Sequence, residues 1–226
     1  MNQITKSGKM KNKTALKFFL TILVAIFLLQ ISSSSCSRGV ASFTLSGTIT
    51  DATFSQGHIG AVLKLSKVMI TTGEEILIET KTLGTDGKYE FKFPREKVEK
   101  YIIRVSKPLY FDVVKEVQFS SLSVGTTNVR NYSTKAKSWV ELRFVNTSVS
   151  STDHFRYIKF QGLENCAECC TAEQVDLFAD SYYSRTCINE ALSTYSIYYQ
   201  VIGTTTQDVV EVVTQPFDTT LLLVNY

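Results

Sequence analysis

Cys166, Cys169, Cys170 and Cys187 are the densest set of reactive side chains in this 226-residue chain. Four thiolates could hold a tetrahedral zinc, and Cys-x-x-Cys is the spacing of a dithiol redox centre. Adjacent Cys169 and Cys170 point poorly at one metal, however, and a redox centre of that kind needs a βαβ setting that the neighbouring residues do not offer. An even number of cysteines in an exported chain favours disulfides instead. A bond between Cys169 and Cys170 would close a strained ring, so Cys187 is expected to pair with Cys170 or Cys169, and Cys166 with the other. The wider loop is worth ~3 kcal/mol on the chain-entropy scale. No metal and no cofactor is expected.

The remaining chemistry is sparse. His58 and His154 are the two histidines, and both read as exposed loop residues. Asp153 precedes His154, but neighbours on an extended chain point apart. No serine stands in a Gly-x-Ser-x-Gly elbow, and no phosphate-binding or dinucleotide fingerprint occurs. Glu74-Glu75 reads as a solvated face, not a glycosidase pair. Tyrosines are the other lead: Tyr182 and Tyr183 lie inside the cysteine-bounded stretch, and Tyr195, Tyr198 and Tyr199 follow one another on a strand. Such side chains stack on sugar rings or anchor protein partners, although aromatic residues also favour strands for packing alone. Tyr182 and Tyr183 are the candidate ligand contacts.

A leader precedes all of this. Lys6, Lys9, Lys11, Lys13 and Lys17 are followed by the apolar run Phe18 to Ile31. As a helix that run covers about 21 Å, short of the ~30 Å hydrocarbon core, so it reads as an export signal. Ser33-Ser34-Ser35-Cys36 resembles the cleavage site of bacterial lipoproteins, with Ser33 where an aliphatic residue is usual. The resemblance implies a signal peptide over 1–35, diacylglycerol on Cys36 and a lipidated tether over 36–41. An ordinary cleaved signal and an uncleaved anchor are the competing readings. Removing five lysines and no acid takes the net charge from +3 to −2, which leaves no electrostatic case for nucleic acid. Membrane attachment would come from acyl chains, each buried CH₂ contributing ~0.8 kcal/mol.

The rest reads as all-β: two consecutive antiparallel sandwiches, immunoglobulin-like or prealbumin-like. Short alternating runs recur between turn residues. Phe43 to Thr50 alternates cleanly, and Tyr89, Phe91 and Phe93 share one face beyond Asp86-Gly87, which reads as a tight hairpin turn. A first domain spans 42–134 and a second, with a cysteine-rich loop, 137–226. Asn131 to Lys137, polar and without alternation, marks the boundary. In the second half Ser138 to Asn146, Phe155 to Phe160, Tyr195 to Ile202, Val209 to Thr214 and Thr219 to Asn225 read as antiparallel strands, with Thr171 to Thr186 irregular.

Ser46-Gly47-Thr48-Ile49-Thr50-Asp51, Gly60-Ala61-Val62-Leu63-Lys64-Leu65, Thr85-Asp86-Gly87-Lys88-Tyr89-Glu90-Phe91 and Tyr101-Ile102-Ile103-Arg104-Val105 resemble the carboxypeptidase regulatory-like domain. The resemblance covers about ninety residues and implies a transthyretin-like sandwich of the kind attached, without catalysis, to bacterial envelope proteins. Phe93-Pro94-Arg95 and the charged Glu96 to Lys100 stand where that family has a Pro-Gly turn. These readings together give a lipid-anchored, non-catalytic module of a Gram-negative envelope, its partner a glycan or an envelope protein. Ser37 after the cysteine fits outer-membrane sorting. The rival is a periplasmic hydrolase or thiol enzyme that gathers His154 or Cys169 with acids in the second domain.

Overall fold

The computed structural model describes residues 41–226. The leader, Cys36 and all of the tether but Ala41 lie outside them. The chain is all-β. Its first half comprises β1 (Ser42–Asp51), β2 (Gln56–Gly57), β3 (Val62–Val68), β4 (Glu75–Thr82), β5 (Lys88–Pro94), β6 (Lys100–Ser106), β7 (Val113–Gln118), β8 (Thr127–Val129) and β9 (Tyr132–Thr134). One sheet runs β4-β3-β6-β7; the other is built on β1, which pairs with β5, β2, β8 and β9. Strict alternation drives this pairing. In β5, Tyr89, Phe91 and Phe93 are buried while Lys88, Glu90 and Lys92 are exposed, as a strand covered on one face requires. Phe43, Leu45, Phe91, Phe93, Leu63, Leu65, Tyr101 and Ile103 fill the space between the sheets. Each fully buried side chain of this size contributes ~1.5–3 kcal/mol.

The second half holds β10 (Lys137–Val145), β11 (His154–Gln161), β12 (Val175–Phe178), β13 (Tyr182–Glu190), β14 (Thr194–Val201), β15 (Gln207–Val213) and β16 (Thr219–Asn225). A three-stranded sheet, β13-β10-β16, faces a four-stranded one, β12-β11-β14-β15. Val140, Leu142 and Phe144 from the first meet Phe155, Tyr157, Tyr195 and Ile197 from the second.

Four expectations need correction. Asp86-Gly87 does not close a hairpin, because β4 pairs with β3 and β5 with β1; the turn carries the chain from one sheet to the other. Gly87 has φ +65, and a Cβ there would stand 2.2 Å from the Ile49 carbonyl, so only glycine fits. Tyr132–Thr134, read as linker, is a strand parallel to β1; three residues are too few to show alternation. Thr171 to Thr186, read as irregular, contains β12 and most of β13. The second half is not wholly antiparallel either, since β16 runs parallel to β10 over seven paired residues.

The halves meet where β1 and β9 end and β10 begins. Tyr110 bridges to Ala136, Lys137 N donates to the Leu109 carbonyl at 2.8 Å, and Phe217 N donates to the Lys137 carbonyl at 2.9 Å. Phe217 packs against Phe54 and Tyr110 of the first half, with ring centroids 6.0 and 5.3 Å away. Among the described residues no helix is long and apolar enough to cross a membrane.

Candidate functional site

The loop from Gly162 to Gln174 is closed by two disulfides, Cys166–Cys169 and Cys170–Cys187, each with Cα atoms 5.3 Å apart. This is one of the two pairings left open by the sequence. Cys187 supplies the fixed end, buried on β13 where its side chain faces the core. Lys159 does the rest. It is 5% exposed, and its ammonium donates to the carbonyls of Leu163 at 2.7 Å, Cys170 at 2.9 Å and Cys169 at 3.4 Å. Burial lowers its pKa, while the nearby charge of Glu164 opposes the shift. A buried cation with carbonyl partners organises backbone much as a metal would, because each donated bond satisfies an oxygen that water cannot reach. Shallow depressions of about 480 and 570 Å³ flank the loop.

The thiol-enzyme reading meets an obstacle here. Cys169 is buried and bonded to Cys166, so it is no free nucleophile. His154 lies at the opposite end of β11, five residues or ~17 Å from Lys159. The structure does not bring the two together. Among the described residues no group of three His, Cys, Asp or Glu side chains is placed to hold a metal ion.

The outward face of the β12-β11-β14-β15 sheet is the more informative surface. Phe155 and Tyr157 of β11 point into the core, so His154 and Arg156 point out. The register sets Phe178 opposite His154, and Asp176 opposite Arg156. Asp176 accepts from Arg156 Nε at 2.8 Å, meets His154 Nε2 at 2.6 Å and accepts from Gln174 at 2.8 Å. These bonds, Arg156 first, hold its carboxyl well below the usual carboxylate range. Phe178 stacks on the His154 ring at 4.3 Å and is 65% exposed. Ile158 faces Tyr198 on β14, which in turn faces Val209 on β15; Tyr198 donates to Gln207 at 2.8 Å. At the junction end, the register of β11 shifts between Lys159 and Gln161. Beside that bulge Phe160, on the same side of the strand as Arg156 and Ile158 by alternation, is 72% exposed.

His154 is therefore a half-buried strand residue, not a loop one, and its acid partner is Asp176 in place of Asp153. Asp153 instead accepts from Asn146 at 2.8 Å and Ser150 N at 2.6 Å. The His154–Asp176 pair matches half of a base-and-orienter arrangement, but no Ser, Thr or Cys side chain among the described residues hydrogen-bonds with His154. The arrangement can offer flat apolar rings beside a fixed carboxylate and guanidinium, which is contact chemistry.

The tyrosines divide by strand parity. Tyr182 is 55% exposed, whereas Tyr183, its neighbour on β13, turns inward, stacks on Phe144 at 5.7 Å and shares a 3.3 Å hydrogen bond with Tyr157. The two do not form one contact surface. Tyr195 is fully buried and Tyr199 packs on Phe155 at 5.5 Å. Tyr198 alone of that strand's three points outward. Phe160, Phe178 and Asp176 were missed in the sequence; the available signal was the short alternation Val175-Asp176-Leu177-Phe178.

His58 also departs from expectation. It is 1% exposed, set edge-on to Tyr110 at 4.5 Å, and its Nδ1 has no hydrogen-bond partner among the described residues. Its loop is drawn inward because His58 N donates to the Ile49 carbonyl at 2.9 Å.

No family model matches the chain. No curated protein matches it either. Among solved structures it is similar to the Bacillus anthracis TIE protein, at 13% identity and a TM-score of 0.34, covering 82% of this chain and 34% of that one. It is similar to a streptococcal ancillary pilin at 11% identity and 0.36, covering 83% and 63%. For GBS52, the minor pilin of Streptococcus agalactiae, the figures are 10% and 0.32, covering 81% and 94%. The chain thus spans about a third of the first of these and under two thirds of the second. Likeness at this level assigns neither ancestry nor activity.

Proposed function

We propose that this chain is a lipid-anchored, non-catalytic module of a Gram-negative cell envelope, held in the outer membrane through Cys36 and presenting its second sandwich to a glycan or an envelope protein. The leader supports the anchor. The carboxypeptidase regulatory-like resemblance supports a non-catalytic role for the first sandwich. The observation that carries the binding role is the outward face of the four-stranded sheet, where His154 and Phe178 flank the Arg156–Asp176 pair and Tyr198 and Phe160 continue the same face towards the junction. Rings exposed beside a fixed ion pair suit a sugar ring or a protein loop, since the flat face removes apolar area from water while the charged groups take polar contacts.

Glycan arrays and crosslinking in intact envelopes test this directly. Wild type is expected to bind and the Phe178→Ser and Phe160→Ser variants to lose that binding while unfolding at the same urea concentration. Arrays and crosslinks that return no partner for the wild type, or equal binding by both variants, would remove the basis for the reading. Tyr182→Ser serves as a second probe on the opposite sheet.

A further inference from the structure

We propose that the pole of the first sandwich where β1 begins is a membrane-docking surface that rests on anionic phospholipid headgroups. The inference depends on acylation of Cys36 as proposed above and goes further by naming the face and its residues. Five residues, Ser37 to Ala41, separate Cys36 from Ser42, so Ser42 lies within about 20 Å of the acylated cysteine even if every residue is extended. A ten-residue strand is about 33 Å long. The pole holding Ser42 can therefore reach the headgroups while the other end of the same sandwich stands well clear.

The register places three connections at that pole. Ser42 pairs with Pro94, Val68 pairs with both Glu75 and Lys100, and Lys100 pairs with Gln118. The turn after β3, the loop between β5 and β6, and the segment between β7 and β8 therefore lie together. Rings cross between the two sheets here, Phe43 lying 6.3 Å from Tyr101 and 5.7 Å from Phe119.

Each connection carries a side chain suited to an interface. Ile70 sits in the first turn, about half exposed, and Val124 stands about half exposed beside Gly125 in the third. Arg95 and Lys97 project from the middle loop. Glu96 pairs with Lys67, and Glu99 shares Lys100 with Glu116. Among the described residues Arg95 and Lys97 have no carboxylate partner, and the exposed Glu74, in the turn that carries Ile70, has no cationic one. Arg95 lies over the Phe119 ring at 5.4 Å, which fixes its stem at the surface and leaves the charge available. Two unpaired cations against the single unpaired acid Glu74, flanked by two aliphatic tips, suit an anionic bilayer surface: apolar tips enter the acyl boundary, and the cations each gain about 1 kcal/mol near anionic lipid while Glu74 opposes them. A protein partner would not require the surface to face the tether.

The test uses the acylated full-length protein in vesicles of phosphatidylethanolamine and phosphatidylglycerol containing brominated lipid. Intact mass first establishes whether Cys36 carries acyl chains. Tryptophan emission is then compared for the Ile70→Trp, Val124→Trp and Phe178→Trp variants, with Trp139 of the wild type as background. Ile70→Trp and Val124→Trp are expected to lose roughly twofold more emission than Phe178→Trp, and Arg95→Glu with Lys97→Glu to abolish that difference without releasing the protein. Equal quenching of all three in acylated protein overturns the docking surface and leaves the anchor standing. A mass without acyl chains overturns both.

Discussion

Tyr110 donates its hydroxyl proton to Asp51 at 2.7 Å, in a buried position at the seam between the two sandwiches. Asp51 also accepts from the backbone of Thr53 at 2.9 Å and Phe54 at 3.3 Å, so one carboxylate sets the turn leaving β1 and the tyrosine that crosses to the second half. Burial first, then the bond to Asp51, raises the Tyr110 pKa far above the ordinary phenol range, so the donor stays protonated. Phe217 rests against the same ring. Tyr110→Phe keeps the packing and strands a carboxylate oxygen, and a hydrogen bond to a charged group is worth ~1.5–3 kcal/mol. A fall of that size in unfolding free energy is the expected result. A change indistinguishable from zero would mean that water serves Asp51 equally well.

His58, packed edge-on to Tyr110, couples this seam to pH. Burial lowers its pKa, the charge of Lys107 adds to the effect, and Asp51 opposes both. The unfolded histidine takes up a proton near pH 6.5 and the folded one only at lower pH. In that interval the unfolded state binds more protons, so stability is full above about pH 6.5 and falls as pH drops towards the folded value. Urea midpoints measured above and below about pH 6.5 should converge in the His58→Phe variant relative to wild type. An unchanged acid slope in that variant would assign the loss to carboxylates elsewhere.

The cysteine pairs should separate by loop size. Cys170–Cys187 spans 17 residues and Cys166–Cys169 spans 3. The chain-entropy relation gives about 3 kcal/mol for the longer loop and about 2 for the shorter. Replacing Cys170 and Cys187 by serine should therefore lower the urea midpoint more than replacing Cys166 and Cys169. The first change also frees β13 from the loop held by Lys159. Reversal of that order would show that the short bond, and not the long one, controls the loop.

Much of the fold was legible because its strands are long and covered on one face. Tyr89, Phe91 and Phe93, or Val140, Leu142 and Phe144, announce both strand and buried side. The losses have a common cause: information that sits in the partner strand. Tyr132–Thr134 is too short to alternate, and β13 opens with Tyr-Tyr followed by Ser184, Arg185 and Thr186, because only its second half is covered. No local pattern could show that β16 would run parallel to β10 or that Asp86-Gly87 would cross between sheets. The candidate surface fared likewise. Asp176 is 22 residues from His154, and only the register of β11 with β12 unites them. Parity also explains the fate of the Tyr182-Tyr183 pair, since adjacent strand residues cannot share a face. His58 was misread because small neighbours suggest an open loop, whereas Gly57 and Gly87 let backbones pass so closely that a Cβ at Gly57 would stand 2.4 Å from the Asp86 carbonyl carbon.

The last strand offers the sharpest test of that register. Leu222 pairs with Leu142 and Leu223 with Arg143 in the parallel ladder; the first is buried at the core and the second is exposed. The residues are chemically identical and adjacent, so only the side of the sheet distinguishes them. Leu222→Ala removes packed volume and should cost ~2–5 kcal/mol, including the cavity left behind. Leu223→Ala, on the solvent side, should stay within about 0.5 kcal/mol. A slip of one residue between β16 and β10 would exchange the two values, because side-chain direction has a period of two. Chemical denaturation of the two variants thus reads the alignment of the terminal strand directly, and equal losses would mean that β16 does not hold a single register.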